Sequence, residues 1–289
     1  MITFTKFGEY GRLGNQLFQY ASLRGLAEKT NHEFKLPNIK GRNWHSQNCL
    51  LGNFNITCNF LDSTDSIDRS IVEPCQGSGN YSPSIESSLK EFDGNISLLG
   101  FFQNIKYFSN IEDKIKKELS PHKKYIDEAK KYIETIRNDM NVVSVHLRRG
   151  DVVSGPNSHI PYYGETDIFD PNTIFGSYFS KAIEHFDMDS TTFLLFTGGS
   201  RTGDDTEDIQ WTKKMFRDFP NFVVSDSNDP MKDLSRIISC DSNVACFQSS
   251  FGWWAAYLNT NGGKVVAPKD YFQNGILHDG FYPEEWILI

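Results

Sequence analysis

The sequence predicts an α/β protein built on a parallel sheet, and two features predict it. Apolar runs at 142–147, 192–197, 221–225, 243–247 and 264–267 alternate with helical patterns at 176–186, 207–217, 230–240 and 250–259. Short connections between such segments make repeated β-α-β units, whose sheet is covered on both faces. At the start, a strand-like run at 2–7 is followed by a glycine-bearing loop from Gly8 to Gly14. A helix near Asn15, with Leu17, Phe18, Ala21 and Gly25 at helical spacing, completes a unit of the nucleotide-binding type.

Between 38 and 95 the pattern dissolves into Ser, Asn, Asp and Gly with short apolar runs. That is too long for a plain loop in a compact domain, so irregular structure with a specificity role is expected. Ile96 to Phe102 reads as a buried strand. Helices are expected at 104–119 and 123–138, parted by Pro121 and His122, with Ser120 as a cap. The 289 residues suffice for two ordinary domains. They are placed at 1–139 and 140–289, with roughly the last 20 residues able to pack back on the first.

The net charge is −8, so the chain has no basic footprint for a nucleic acid. No apolar run is long enough to span a membrane, and Met1 to Lys6 does not read as a secretion leader. The five cysteines are odd in number and form no C-x-x-C pair, which fits reduced thiols. The expected compartment is the cytoplasm, with peripheral membrane contact left open.

Open parallel sheets bind ligands beyond the carboxyl ends of their strands. Arg148, Arg149 and Asp151, then Gly198 and Gly199, Ser225 and Asp226, and Ser249 and Ser250 fall there, and three motifs along the chain carry chemistry. In the first, Val142-Val143-Ser144-Val145-His146-Leu147-Arg148-Arg149-Gly150-Asp151, alternation turns His146 and Arg148 one way and Arg149 the other. An arginine fork at a strand end suits a pyrophosphate, because its donors match phosphate oxygens in pairs. A salt-bridged surface turn is the alternative. In the second, Gly11-Arg12-Leu13-Gly14-Asn15-Gln16 opens the first helix. Its glycines let backbone N–H groups approach an anion, although no Gly-Lys-Ser/Thr follows, so it is not a Walker loop. A tight strand-to-helix turn reads equally well.

The third group joins Asp229-Pro230-Met231-Lys232-Asp233 to Gln248-Ser249-Ser250-Phe251. Asp229 caps a helix and Pro230 takes its first position. Asp233 borders the buried stripe of Leu234, Ile237 and Ile238, where a carboxylate needs a partner such as the two adjacent N–H donors of guanine. Ser249 and Ser250 can donate to phosphate; they can equally be helix caps, with Asp233 a surface residue. Trp253 and Trp254 read as core.

With GRLGNQLFQYA, GFFQNIKYF (Gly100 to Phe108), VSVHLRRGD and SSFGWWAAYLN in this order, the chain resembles the α-1,2-fucosyltransferase family that uses GDP-fucose. The resemblance implies a GT-B fold of two Rossmann-like domains facing a cleft, an acceptor-side domain followed by a donor-binding one, and an inverting mechanism without metal or other cofactor. It places Arg148 on the β-phosphate, with His146, Arg149, Ser249, Ser250 and Phe251 around it. It also puts Asp233 on guanine, and Gly11, Arg12, Gly14, Asn15 and Gln16 on the substrate side, Asn15 facing the fucosyl group. Two departures stand out. Thr197-Gly198-Gly199-Ser200 begins a longer loop, read as running to Trp211, where the family has Phe-Ser-Asp-Asp. Gly252 stands where the family has Ser.

The one Asp-x-Asp, Asp187-Met188-Asp189, lies between a helix and a strand and reads as a solvated turn. Without a metal, the Arg pair must steady the leaving diphosphate. The implied reaction moves L-fucose to the 2-hydroxyl of a terminal galactose-like residue of a glycan acceptor. Another GDP-sugar or linkage, and a silent lectin-like relative, are the alternatives. Asp151 is the first choice of base and His146 its rival; the plainer role for Asp151 is to orient Arg149.

Overall fold

The computed structural model describes residues 1–44, 47–74, 76–154, 169–200, 202–271 and 279–289. Contacts divide the chain into two units, Met1–His122 with Ile276–Glu284, and Lys123–Gly275 with Glu285–Ile289.

In the first unit the strands are β1 (Ile2–Thr3), β2 (Lys35–Leu36), β3 (Asn43–Trp44), β4 (Gln47–Asn48), β5 (Asn59–Phe60), β6 (Arg69–Val72) and β7 (Ile96–Leu99). β1, β7 and β6 form a parallel sheet in that order; β2 pairs with β5 and β3 with β4. Helix α1 (Leu13–Thr30) buries both its apolar side chains and Gln16, Gln19 and Ser22. It can lie close to its neighbour because a Cβ on Gly25 would fall 2.3 Å from the carbonyl oxygen of Tyr107. Helices α2 (Pro83–Lys90) and α3 (Glu112–Glu118) complete the unit.

Two expectations need correction here. The 38–95 segment is not merely irregular, since β6 is a paired strand of the sheet, in register with β7 from Arg69 opposite Ile96 onwards. Its exposed, edge-lying residues carry no alternation that a pattern search could use. The helix expected over 104–119 is broken into 3₁₀ turns at Ile105–Tyr107 and Ser109–Ile111 before α3. Asn104 redirects the chain: its side chain accepts from Lys106 N and donates to the carbonyls of Gly79 and Asp279. Such local side-chain bonds compete with helix.

The second unit begins earlier than expected, at Lys123 rather than residue 140. Helix α4 (Lys123–Arg137) is tied to it by Arg137, which donates to Asp241 at 2.7 and 3.2 Å. Arg236 also lies 3.7 Å over the ring of Tyr132, and Lys232 pairs with Glu128 at 3.1 Å. The chain end is shared. Ile105 N donates to Gly280 O at 2.9 Å in the first unit, whereas β13 (Ile287–Leu288) joins the second sheet.

That sheet is parallel and six-stranded, ordered β10-β9-β8-β11-β12-β13. Its other strands are β8 (Asn141–Arg148), β9 (Thr191–Gly198), β10 (Phe222–Val224), β11 (Ser242–Val244) and β12 (Val265–Ala267). Between them run α5 (Asp151–Ser154), α6 (Ile174–Ile183), α7 (Thr206–Met215), α8 (Pro230–Ser239) and α9 (Ser250–Tyr257). Every residue of β9 is buried, as a two-sided parallel sheet requires. Phe175, Phe179, Phe193, Phe216 and Phe222 pack against Val143, Val145 and Leu147. Trp253 and Trp254 are buried in α9. From β8 the chain adds β9 and β10 on one side, then β11 and β12 on the other. The order therefore reverses between β8 and β11, the place where open α/β sheets hold ligands. Among the described residues no helix is long and apolar enough to cross a membrane.

Candidate nucleotide-sugar site

Arg148 ends β8 at this reversal point. Its Nε and Nη2 donate to one oxygen of Asp151 at 3.2 and 2.8 Å, and its Nη1 donates to Gln248 O at 3.3 Å. The carboxylate thus grips one edge of the guanidinium. Gln248 is exposed and adopts φ 47°, unusual for a residue with a side chain. It immediately precedes Ser249, the buried cap of α9, whose Oγ accepts from Gly252 N at 3.3 Å. Ser250 and Phe251 follow, half-buried, in the first turn of α9, where backbone N–H groups and the helix dipole favour an anion.

Arg149 turns the other way, as strand alternation requires. Its Nε donates to Asp208 at 3.0 Å and its guanidinium lies 3.6 Å over the ring of Trp211. Asp208 also accepts from Gly150 N at 3.0 Å. The partner of Asp151 is therefore Arg148, not Arg149. Asp208 and Trp211, both from α7, are the partners that motif reading missed. The loop after β9 ends before Thr206, so Trp211 lies inside the helix expected at 207–217 and not at the end of the loop. Asp205, just before α7, accepts from Gly199 N and Ser200 N at 3.0 and 2.9 Å. The neighbouring Arg201 lies outside the described residues. The glycines are required by approach: a Cβ on Gly150, at φ +49°, would fall 2.2 Å from the Gly199 carbonyl carbon.

His146, two residues before Arg148, is buried against Phe251, their ring centroids 5.8 Å apart. Its Nδ1 has no hydrogen-bond partner among the described residues. Burial and then the Arg148 charge press its pKa down to about 3, so the ring is neutral at ordinary pH.

Asp233, half-buried in the first turn of α8, finds its partner in Ser225, whose hydroxyl donates to it at 2.9 Å. Ser225 in turn accepts from Arg236 at 2.9 Å. Burial raises the Asp233 carboxyl to about 7. Beside it, Asp226, Ser227, Asn228, Asp229, Lys232 and Arg236 line an open depression. Asp187 is occupied in its turn, accepting from Asp189 N and Ser190 Oγ at 3.1 and 2.7 Å.

The second motif lies in the first unit. Gly11, at φ +92°, admits the Asn15 side chain, since a Cβ there would fall 2.6 Å from that of Asn15. Gln16 Nε2 donates to Gly11 O at 2.9 Å, and Gln103 Nε2 donates to Asn15 Oδ1 at 2.8 Å. Gly14 is buried within α1 and Arg12 is half-buried before it.

The sequence model described as Glycosyl transferase family 11 matches residues 3–289. An alpha-1,2-colitosyltransferase of Escherichia coli is 27% identical over 308 residues, covering 96% of each chain. A galactoside alpha-(1,2)-fucosyltransferase 2 of Sus scrofa is 27% identical over 303 residues, covering 96% of this chain and 78% of that one. Among solved structures, the fucosyltransferase NodZ from Bradyrhizobium matches with a TM-score of 0.54 at 12% identity, over 88% of this chain and 92% of the other. POFUT1 in complex with GDP matches with a TM-score of 0.54 at 12% identity, over 92% and 97%. At such identity the likeness is one of fold, and the fold is GT-B.

Proposed function

Since this chain belongs to glycosyl transferase family 11, we propose that it transfers L-fucose from GDP-fucose to the 2-hydroxyl of a terminal galactose-like residue, with inversion and without a metal ion. The observation that carries the reading is Arg148, gripped by Asp151 beside the capped start of α9 at the reversal of the sheet. Arg148 and the first turn of α9 receive the diphosphate, and Asp233 accepts from the guanine edge. As the acceptor oxygen bonds to the anomeric carbon, the bond to the β-phosphate oxygen breaks and its electron pair leaves with GDP. Preorganised donors steady that charge.

The acceptor proton goes to Asp151. His146 is buried against the Phe251 ring, so it supports the site from within rather than meeting the acceptor hydroxyl. Arg149 acts at one remove, because Asp208 and Trp211 fix it and thereby the Gly150 turn.

The similarity to an alpha-1,2-colitosyltransferase supports a second donor reading, in which colitose replaces fucose. Incubation with lactose and a panel of GDP-sugars, reading GDP release, product mass and linkage, tests both. An α-1,2-fucosylated product is expected. Transfer from GDP-colitose alone selects the second reading, and GDP release with no glycoside product from any donor contradicts both.

A further inference from the structure

The first unit carries a cluster of half-buried aromatic side chains that the donor chemistry leaves unused. Tyr10 and Phe101 stack with centroids 4.8 Å apart and planes 8° from parallel, and Trp44 on β3 meets Tyr10 edge-on at 5.8 Å. These three come from separate stretches of chain, and buried polar groups lock two of them together. Gln19 Nε2, on α1, donates to Tyr10 O at 3.0 Å and to Gly100 O at 2.9 Å. From another side Glu73 accepts from Phe101 N at 2.8 Å and Phe102 N at 2.9 Å. Phe102 adopts φ 52°, a left-handed conformation that those two bonds help to hold. A Cβ on Gly100 would fall 2.4 Å from that of Glu73, so the loop sits directly on the carboxylate.

Such an arrangement exceeds what burial of two rings needs. Gln19 and Glu73 are nearly inaccessible, while the rings they support remain partly exposed. Polar groups border the rings. Gln76 is exposed and accepts from the Tyr10 hydroxyl. The run that carries Phe101 also carries Gln103, bonded to Asn15. A rigid apolar face edged by amides matches a pyranose, which shows C–H bonds on one face and hydroxyls at its rim.

We infer that Tyr10, Phe101 and Trp44 form a stacking subsite for the galactose-like ring of the acceptor. The inference rests on the glycosyltransferase reading above. Gln19 and Glu73 are positioning residues for it.

The test uses Tyr10→Leu and Phe101→Leu, which keep apolar bulk and remove the ring, with Tyr10→Phe as the conservative control. KM for lactose and the GDP dissociation constant are measured for each. Loss of a ring contact should raise KM by ~3- to 10-fold. GDP affinity should stay within twofold of wild type, and Tyr10→Phe should retain most of the wild-type KM. Should the leucine variants fail to fold, saturation-transfer NMR on the wild type reads the same contact, with irradiation of aromatic protons expected to reach the galactose ring of lactose. An unchanged KM in both leucine variants, or no transfer to that ring, overturns the subsite while leaving the donor reading intact. Wild-type protein that saturates lactose protons but neither binds GDP nor transfers a sugar would contradict the donor reading and keep the subsite.

Discussion

A Cβ on Gly252 would lie 2.4 Å from Nδ1 of His146, so the first turn of α9 and the end of β8 fit together only because one residue is glycine and the other a flat ring. The two residues are one packing unit beneath Arg148. Gly252→Ala should therefore cost about 1–3 kcal/mol through overpacking. His146→Ala should relieve part of that cost, giving a double-mutant coupling above ~0.5 kcal/mol. Chemical denaturation of the four proteins measures it; strict additivity would mean that the ring moves aside freely.

The buried acid and base groups pull stability in opposite directions with pH. His146 has a folded pKa of about 3, below its unfolded value, so the stability it contributes is present above ~6.5 and is lost as pH falls toward 3. Glu73 is raised to about 7 by burial, so its contribution is full below ~4.3 and is lost as pH rises through 7. Unfolding free energy compared at pH 5 and pH 8 should show Glu73→Gln gaining on wild type at the higher pH. Parallel pH profiles for the two proteins would remove Glu73 from the balance.

Asp233 gives the nucleotide site its own pH signature. Guanine donors need the ionised carboxylate, and the free group titrates near 7. GDP affinity should rise between pH 6 and pH 8 and then level off, with a proton released on binding. Calorimetry in buffers of different ionisation enthalpy detects that proton. A flat profile, or the same profile in Asp233→Asn, would detach Asp233 from guanine.

Asp151 and Arg148 separate by substitution. Asn at 151 keeps an oxygen for Arg148 but cannot take a proton, so turnover should fall at least ~10-fold with GDP affinity nearly kept. Equal losses in both would make Asp151 purely the brace of Arg148. Arg148→Lys keeps charge and loses the fork, and should lower turnover by ~10²–10³.

Much of the site could be read from the chain because its residues are local to strand ends. His146 and Arg148 share one face of β8, and Asp229, Pro230 and Asp233 mark the start of α8 by capping chemistry alone. Partners that come from elsewhere could not be read. Asp208 and Trp211 sit about 60 residues beyond Arg149, and acidic residues at a helix start ordinarily read as complements of its dipole. The plainer role open to Asp151, bracing an arginine, therefore falls on Arg148 and not on Arg149. In the first unit, β6 lacked alternation because it lies exposed at a sheet edge, and Asn104 broke a helix by bonds to Gly79 and Asp279 that no local window contains. The unit boundary shifted for the same reason, since Arg137 finds Asp241 across 104 residues.

The most direct test is a calorimetric titration of GDP into the full chain in EDTA, repeated after manganese is added and with Arg148→Lys. Saturable one-to-one binding in EDTA is expected, unchanged by manganese and weakened at least tenfold in the variant. Binding that appears only with manganese, or that Arg148→Lys leaves untouched, would contradict a metal-free diphosphate site at the end of β8.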